Sequence, residues 1–283
     1  QLPVDLSTLD KSVVESSGTY EGEPVLYSCT IGGQVMYVNT DFAEKYNFDT
    51  TKEYTWESLM AEGKRIHEED PEAYLMSADI DVLNRLIILQ YLAQMTGGSI
   101  VNEDYTGTME PFGESAVFVG QMEQNTKWIN GKIGILLDIT GATAKYEASI
   151  ESELDCMSIP IIEDAVCSGV DYSGNLGFVL NDQSENKEEA AKILKDSRGY
   201  PATSTAIEVM EKENLLSPVM VKATEIASQN NPFSINAISG NTELETIRKD
   251  IIQEMIYGDC TAEEGAQEMI DSYTELLDTL KNK

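Results

Sequence analysis

The chain has 283 residues, of which 41% are hydrophobic, and 50 acidic residues against 19 basic ones give a formal net charge of −31. This length is sufficient for two compact lobes, and the apolar fraction is that of a folded globular protein rather than a disordered one. The acidic excess argues against nucleic acid or an anionic membrane surface as a partner, because both require clustered lysines and arginines.

The sequence contains no transmembrane segment or secretory leader of the usual pattern. The longest apolar candidate, LIILQYLAQM, is interrupted by Gln90 and Gln94 and is too short to span a bilayer. The chain begins QLPVDLSTLD, without a charged and then apolar leader. We therefore expect that the natural N-terminus has been removed.

The four cysteines do not predict a metal site. Cys29, Cys156, Cys167 and Cys260 include no CxxC pair, and the only histidine is His67. Cys156 and Cys167 flank one turn-rich segment and could form a bridge, but packed free thiols are the preferred interpretation. No metal and no cofactor is expected.

The elements alternate between strands and helices along the chain. Two β-like runs, 23–31 and 34–39, precede a helix from Thr55 and a second helix from Asp81 that ends at Gly97 and Gly98. Three further β-like runs follow, at 132–138, 156–162 and 176–181. The last three helices begin with the capping-box pairs Asn186 and Glu189, Thr242 and Glu245, and Thr261 and Glu264.

This alternation favours an α/β architecture with a largely parallel sheet. The loop-rich segments 16–24 and 163–175 each lead directly into a strand. Such segments suit crossings of the chain between two lobes.

Seven motifs occur in one order between residues 20 and 280. They are YEGEPVLYSCTIGGQVMYVNTDFAEKYNFD, YTWESLMAEGKRI, QMTGGSIVNEDYTG, WINGKIGILL, LGFVLNDQSENKEEAAKIL, YPATSTAIE and YGDCTAEEGAQEMIDSYTELL. Each motif is weak alone, but together they resemble the extracellular solute-binding proteins of ABC importers, most closely the carbohydrate-binding family that includes maltose-binding proteins. Gly134 and Ile135 depart from the alanine and methionine usual in that family.

The resemblance implies a bilobal α/β fold of the type II periplasmic-binding-protein kind, with one lobe nearly complete and the other truncated. Residues 32–174 and 216–283 would form the nearly complete lobe, and 1–31 with 175–215 the partial one. A long N-terminal portion of the family has no counterpart here, which predicts a truncated chain. The family further implies a monomer, held outside the cell by a lipid anchor, that delivers a small solute to an ABC permease.

Sugar ligands require carboxylates, amides and hydroxyls that pair with ring hydroxyls, together with aromatic faces. Asp138 and Thr140 follow the apolar run Ile133 to Leu137, where strand ends of α/β sheets meet ligands. A turn or helix-cap role for Asp138 is an equal alternative. Asp81 and Asn84, near Asp79 at a helix entry, are a second pair, although helix capping explains them as simply.

The remaining candidates lie at the crossings and in two loops. Their polar or aromatic side chains suit a sugar, but each has an alternative as a turn or surface residue; they are Thr30, Gln34, Tyr172, Asn175, Tyr200 and Asn236. Gly32, Gly33 and Gly174 are the predicted hinge, since glycine permits unusual torsions. Trp56 and Trp128 are expected in the core, and His67 is expected to be solvated.

The rival classes are a binding protein for a polyamine, metal complex or phosphonate, and a paired-carboxylate glycosidase. A nucleophilic triad would have to use His67, and no GxSxG or Gly-rich phosphate loop is present. The sequence therefore predicts no catalytic residue, although the many acids leave the glycosidase open.

Overall fold

A computed structural model describes residues 7, 19–20, 23–24, 27–79, 94, 117–118, 122–170, 172–178, 202, 204–212, 216–229 and 241–281. The strands are β1 (Thr19–Tyr20), β2 (Glu23–Pro24), β3 (Tyr27–Gly32), β4 (Gln34–Asn39), β5 (Tyr74–Asp79), β6 (Val117–Phe118), β7 (Ile133–Ile139), β8 (Leu154–Met157) and β9 (Ser173–Phe178). The helices are α1 (Thr40–Lys45), α2 (Trp56–Glu69), α3 (Thr126–Ile129), α4 (Thr143–Glu147), α5 (Ser204–Lys212), α6 (Pro218–Ser228), α7 (Thr242–Tyr257) and α8 (Ala262–Lys281).

The main sheet has five strands in the order β6-β5-β7-β4-β8. β5 is parallel to β6 and β7, whereas β4 is antiparallel to both β7 and β8. The expected α/β architecture is confirmed, but the expectation of a largely parallel sheet is wrong at β4. The reason is that β4 follows β3 after the single residue Gly33 and so enters the sheet at the edge where β7 ends, while β5 and β7 enter from the opposite edge.

A second, two-stranded sheet pairs β3 with β9 in antiparallel orientation. The register shifts twice, so that Cys29 on β3 and Asn175 on β9 have no direct partner. Such bulges increase local twist and redirect a strand. β3 and β9 are the segments on which the sequence predicted two chain crossings, and they lie side by side.

The core lies on both faces of the five-stranded sheet and under the C-terminal helices. The apolar residues of β4, and those of β7 as far as Leu137, are almost fully buried, as are Leu244, Ile251 and Ile252 of α7 and Met269 and Leu277 of α8. Helix α6 packs across β3, β4 and β8, and α7 packs against α8. The predicted core tryptophans are buried, with Trp128 donating a hydrogen bond from Nε1 to Ser149 Oγ at 2.9 Å, while His67 is exposed.

The helix starts follow the capping rules with one correction. Thr55 caps α2 with Ser58, and Thr261 and Glu264 form the predicted reciprocal box before α8. The predicted box at Thr242 is wrong by one residue: Asn241 caps α7, because its Oδ1 accepts from two backbone N–H groups of the first turn. The predicted box at Asn186 lies outside the described residues.

Gly134 on β7 makes room for an aromatic ring. Asn39 Oδ1 accepts a hydrogen bond from Phe42 N at 3.1 Å, which begins α1 and directs the Phe42 ring onto the sheet. A Cβ at position 134 would overlap that ring. The departure from the alanine of the resembling family is therefore coupled to Phe42.

Gln94 joins a distant loop to the core. Its side chain is fully buried and donates from Nε2 to Pro160 O at 2.9 Å and to Ser168 O at 3.0 Å, while Oε1 accepts from Ile162 N at 3.1 Å. Three backbone groups of the segment between β8 and β9 are thus paired by one side-chain amide, beside the backbone bond from Ile161 N to Tyr54 O at 3.1 Å. The described residues contain no helix long and apolar enough to span a bilayer.

We expect Gly134→Ala to lower the free energy of unfolding by about 1–3 kcal/mol, because the added methyl group overpacks a rigid ring. Gly63→Ala in α2 is the matched control, since its Cβ would lie 3.4 Å from Leu75 Cβ, an ordinary contact. It should be neutral or stabilising by up to about 1 kcal/mol. Urea titration measures both; equal stability of the two variants would contradict the packing of Phe42 on Gly134.

Gln94→Leu should destabilise the protein by about 3 kcal/mol or more, because three backbone groups, one buried and two part-buried, lose their partners. Gln267→Leu is the control, because Gln267 is exposed and its Nε2 donates to Asp271 Oδ1 at 2.9 Å on the surface of α8. Thermal and urea denaturation give the two differences. A loss at Gln94 no larger than at Gln267 would show that the loop does not depend on this amide.

Candidate ligand-binding site

Four strands of the main sheet run toward one edge, at which β4 begins. β5, β6, β7 and β8 all have the same direction, opposite to that of β4. In open α/β sheets the crevice beyond the carboxyl ends of the strands is the usual ligand position. Asp138 lies at this edge, and the register of β5 with β7 places the backbone of Asp79 beside it, since Ser77 is opposite Leu136.

The end of β7 is tied to the strand crossing. Gln34, at the start of β4, is opposite Ile139, and Thr140 N donates to Gly33 O at 2.8 Å. Gly33 joins β3 to β4, so the predicted contacts Gln34, Asp138 and Thr140 and the predicted hinge residue Gly33 come together. The sequence suggested each of these separately, and the structure makes them neighbours.

The Asp138 carboxylate is held on both oxygens. Oδ1 accepts from Ile139 N at 2.8 Å, and Oδ2 accepts from the Tyr146 hydroxyl at 2.6 Å and lies 3.2 Å from Lys145 Nζ. The side chain is 16% exposed. The alternative role of Asp138 as a turn residue is therefore present, because its Oδ1 accepts from the backbone N–H of the next residue. Part of the carboxylate nevertheless stays exposed to solvent.

Lys145 connects Asp138 to a second acid. Its Nζ lies 3.4 Å from Glu123 Oε2 and 4.7 Å from the centre of the Tyr146 ring. Burial by itself lowers the pKa of Lys145, but the two carboxylates outweigh it and raise the pKa above its usual value. Lys145 therefore remains charged over the whole neutral range.

Two tyrosines support this edge from one side. The Tyr37 hydroxyl donates to Ile139 O at 2.9 Å and lies 2.9 Å from Thr143 Oγ1, and the Tyr37 and Tyr146 rings are 5.0 Å apart. Burial first, and the Asp138 charge second, raise the pKa of Tyr146 well above its usual range, so it stays a hydrogen-bond donor. Burial likewise raises the pKa of Tyr37.

Thr140 contributes mainly through its backbone. It is 1% exposed, its carbonyl accepts from Thr143 Oγ1 at 2.8 Å, and its own Oγ1 has no hydrogen-bond partner among the described residues. Thr30 and Gln34 are also buried, and Tyr172 packs partly against the core. A stacking role for Tyr172 stays a prediction.

The structure describes some of the other predicted residues and not the rest. Gly174 pairs with Ile31, and Asn175 is the bulge residue of β9, described by its backbone alone. Gly32 ends β3 opposite Ser173. Four predicted contacts lie outside the described residues: Asp81, Asn84, Tyr200 and Asn236.

Sequence reasoning missed the residues that hold Asp138. Tyr146, Lys145 and Glu123 come from a short helix and a turn that the sequence patterns did not predict. The position of Tyr146, eight residues after Asp138, could have indicated this contact. A short turn followed by one helical turn brings Tyr146 back to the end of β7. Tyr37 was noted only as part of a motif.

The residues described include no metal-binding cluster of three or more histidine, cysteine or acidic residues. Cys156, Cys167 and Cys260 form no disulfide with one another, so the preferred interpretation of Cys156 and Cys167 as unbridged is confirmed, and burial raises the pKa of Cys156 to about 12. A surface groove of about 580 Å³ lies between α7 and α8. None of the predicted site residues lines it.

No protein-family model and no curated protein sequence matches the chain. Solved structures do. The fold is similar to that of a periplasmic oligogalacturonide-binding protein from Yersinia enterocolitica in complex with saturated digalacturonic acid, with a TM-score of 0.84 and 16% identity over 98% of this chain and 78% of the other.

Two further structures agree. A periplasmic solute-binding protein from Pectobacterium atrosepticum SCRI1043 gives a TM-score of 0.82 at 17% identity, over 97% of this chain and 78% of the other. An ABC substrate-binding protein from Listeria monocytogenes in complex with cycloalternan gives 0.75 at 16% identity, over 98% and 77%.

The chain therefore has the solute-binding-protein fold, as the sequence motifs predicted. De novo designed esterases match the same fold, so the fold alone does not separate binding from catalysis.

Tyr37→Phe should lower the free energy of unfolding by about 1 kcal/mol, since the Ile139 carbonyl loses the hydrogen bond from the Tyr37 hydroxyl, while Thr143 Oγ1 keeps its bond to Thr140 O. Tyr257→Phe is the control, because Tyr257 is 74% exposed. Urea titration compares the two. If both variants are as stable as the parent, the Tyr37 hydroxyl does not hold the end of β7.

Proposed function

We propose that this protein captures a sugar or oligosaccharide in a cleft between two lobes, closes on it by a hinge, and delivers it to the permease of an ABC importer outside the cell. The observation that carries the proposal is the meeting of strand ends, Asp138 and the β3–β9 pair at one edge of the sheet. The whole-chain likeness to sugar-binding proteins supports it.

The paired strands are suited to join two bodies. All five strands of the main sheet lie between residues 34 and 157, within the segment 32–174 assigned to one lobe. β3 and β9 lead into and out of that segment, with Gly32, Gly33 and Gly174 at the junctions. A ligand that contacts both bodies stabilises the closed arrangement by its differential affinity for it.

The chemistry at the end of β7 suits sugar hydroxyls. A carboxylate has about four acceptor positions, and three on Asp138 are engaged by Ile139, Tyr146 and Lys145. The remaining position can accept from a ligand hydroxyl. Because Tyr146 and Lys145 already orient the carboxylate, little side-chain entropy is lost on binding.

Binding without turnover is the simpler reading of this arrangement. Asp138 and Glu123 share one lysine, and no nucleophile is activated by a base at this edge among the described residues. A lipid anchor, the permease partner and a monomeric state follow from the resemblance, and belong to the same proposal.

The test is a thermal-shift screen against mono- and oligosaccharides, with spermidine and phosphonates as non-sugar competitors and a chromogenic glycoside panel for turnover. At least one carbohydrate should raise the melting temperature, because a ligand bound only to the folded state stabilises it. Glycoside turnover, or a shift with spermidine but with no sugar, would refute the sugar-binding proposal.

Asp138→Asn should then lower the affinity for the carbohydrate found in this screen by about tenfold or more, which is the usual cost of losing a charged hydrogen bond. Asp155→Asn is a matched control: Asp155 also accepts from the next backbone N–H, at 2.8 Å, and pairs with Lys222 at 2.6 Å. Asp155 lies on β8 opposite Val38, away from the crossing edge. Asp155→Asn should therefore change the affinity for the sugar by no more than about twofold. Equal losses would remove Asp138 from the site.

A further inference from the structure

The charges at the end of β7 restrict the kind of sugar that can bind there. The ion pairs at this position join two carboxylates, Asp138 and Glu123, to one ammonium, Lys145. The side chains of the acids are 16% and 19% exposed, so solvent screens them only in part. The net charge of these three side chains is one negative charge.

Lys145 is not free to neutralise an anionic ligand. It lies 3.2 Å from Asp138 Oδ2 and 3.4 Å from Glu123 Oε2, and its aliphatic stem brings Nζ over the Tyr146 ring. A ligand carboxylate that reached Lys145 would be placed next to both acids. Like charges at such distances repel strongly where the effective dielectric constant is below that of water.

The hydrogen-bond donor and acceptor that remain at this position suit the hydroxyl groups of a ligand. Lys145 Nζ lies between the two carboxylates, 3.2 Å from Asp138 and 3.4 Å from Glu123, which leaves part of its donor capacity, and Asp138 has one acceptor position left. One donor next to one acceptor matches neighbouring sugar hydroxyls, each of which can donate and accept. The carboxylate group of an acidic sugar offers only acceptors.

The charge of the whole chain acts in the same direction. A formal net charge of −31 creates a negative potential that slows the approach of anions. This effect is on association rate and weakens with salt.

We infer that the solute of this protein is an uncharged, hydroxyl-rich saccharide, and that Glu123 and Asp138, with Lys145 between them, exclude uronic acids. The inference rests on the proposed sugar-binding function. It distinguishes this chain from the structural neighbour in complex with saturated digalacturonic acid. An identity of 16% indicates a shared fold but does not indicate a shared class of ligand.

The experiment is titration calorimetry of the parent chain with uncharged probes (maltotriose, cellotriose, xylotriose and galactotriose) and with an acidic probe, digalacturonate, at low and at physiological salt. We expect an uncharged sugar to bind at least about tenfold more tightly than digalacturonate, with the gap widest at low salt. Tighter binding of digalacturonate than of every uncharged probe would overturn the inference while leaving the sugar-binding function intact. Failure of both classes would overturn both.

Glu123→Gln tests the cause. Removing one carboxylate frees part of Lys145, so the ratio of the digalacturonate affinity to the affinity for the uncharged sugar should rise by several-fold. Glu263→Gln, at an exposed position of α8, is the control and should change neither affinity. A melting temperature for each variant separates a binding effect from loss of folding. An unchanged ratio of the two affinities in folded Glu123→Gln would refute the assignment.

Discussion

The join between the end of β7 and the start of β4 is the constraint on which the site depends. Thr140 N donates to Gly33 O, and the Tyr37 hydroxyl donates to Ile139 O, so the strand end is held from the backbone and from a buried side chain. β4 continues directly into the β3–β9 pair through Gly33. The crossing strands are therefore joined to the sheet next to Asp138.

The polar groups at this edge are ordered by the protein itself. A half-buried carboxylate is costly unless its oxygens are paired, and Asp138 meets that requirement with a backbone N–H, a tyrosine and a lysine. The same contacts orient it before any ligand arrives. Stability and preorganisation are thus served by one set of contacts, as is usual where a binding group is built on a strand end rather than a flexible loop.

The fold sets where a ligand can sit but not which ligand sits there. Sugar-binding proteins and designed esterases share this backbone at 16–17% identity. What distinguishes one chain from another is the side-chain chemistry at the strand ends. In this protein the candidate site has a carboxylate, a lysine and a second carboxylate, and the proposed ligand class rests on the charge of this group.

The sequence by itself determined the α/β class, the helix start at Thr55, the capping box at Thr261, the position of β4, and the end of β7 to within one residue, because these follow from local periodicity and hydrogen-bonding side chains. Only the tertiary structure decided that β4 runs antiparallel to its neighbours, that Phe42 fills the space above Gly134, and that Tyr146, Lys145 and Glu123 surround Asp138. β5 was missed because YLMSAD is short and lacks strict alternation. Contacts between residues far apart in sequence depend on register and packing, which no local pattern encodes.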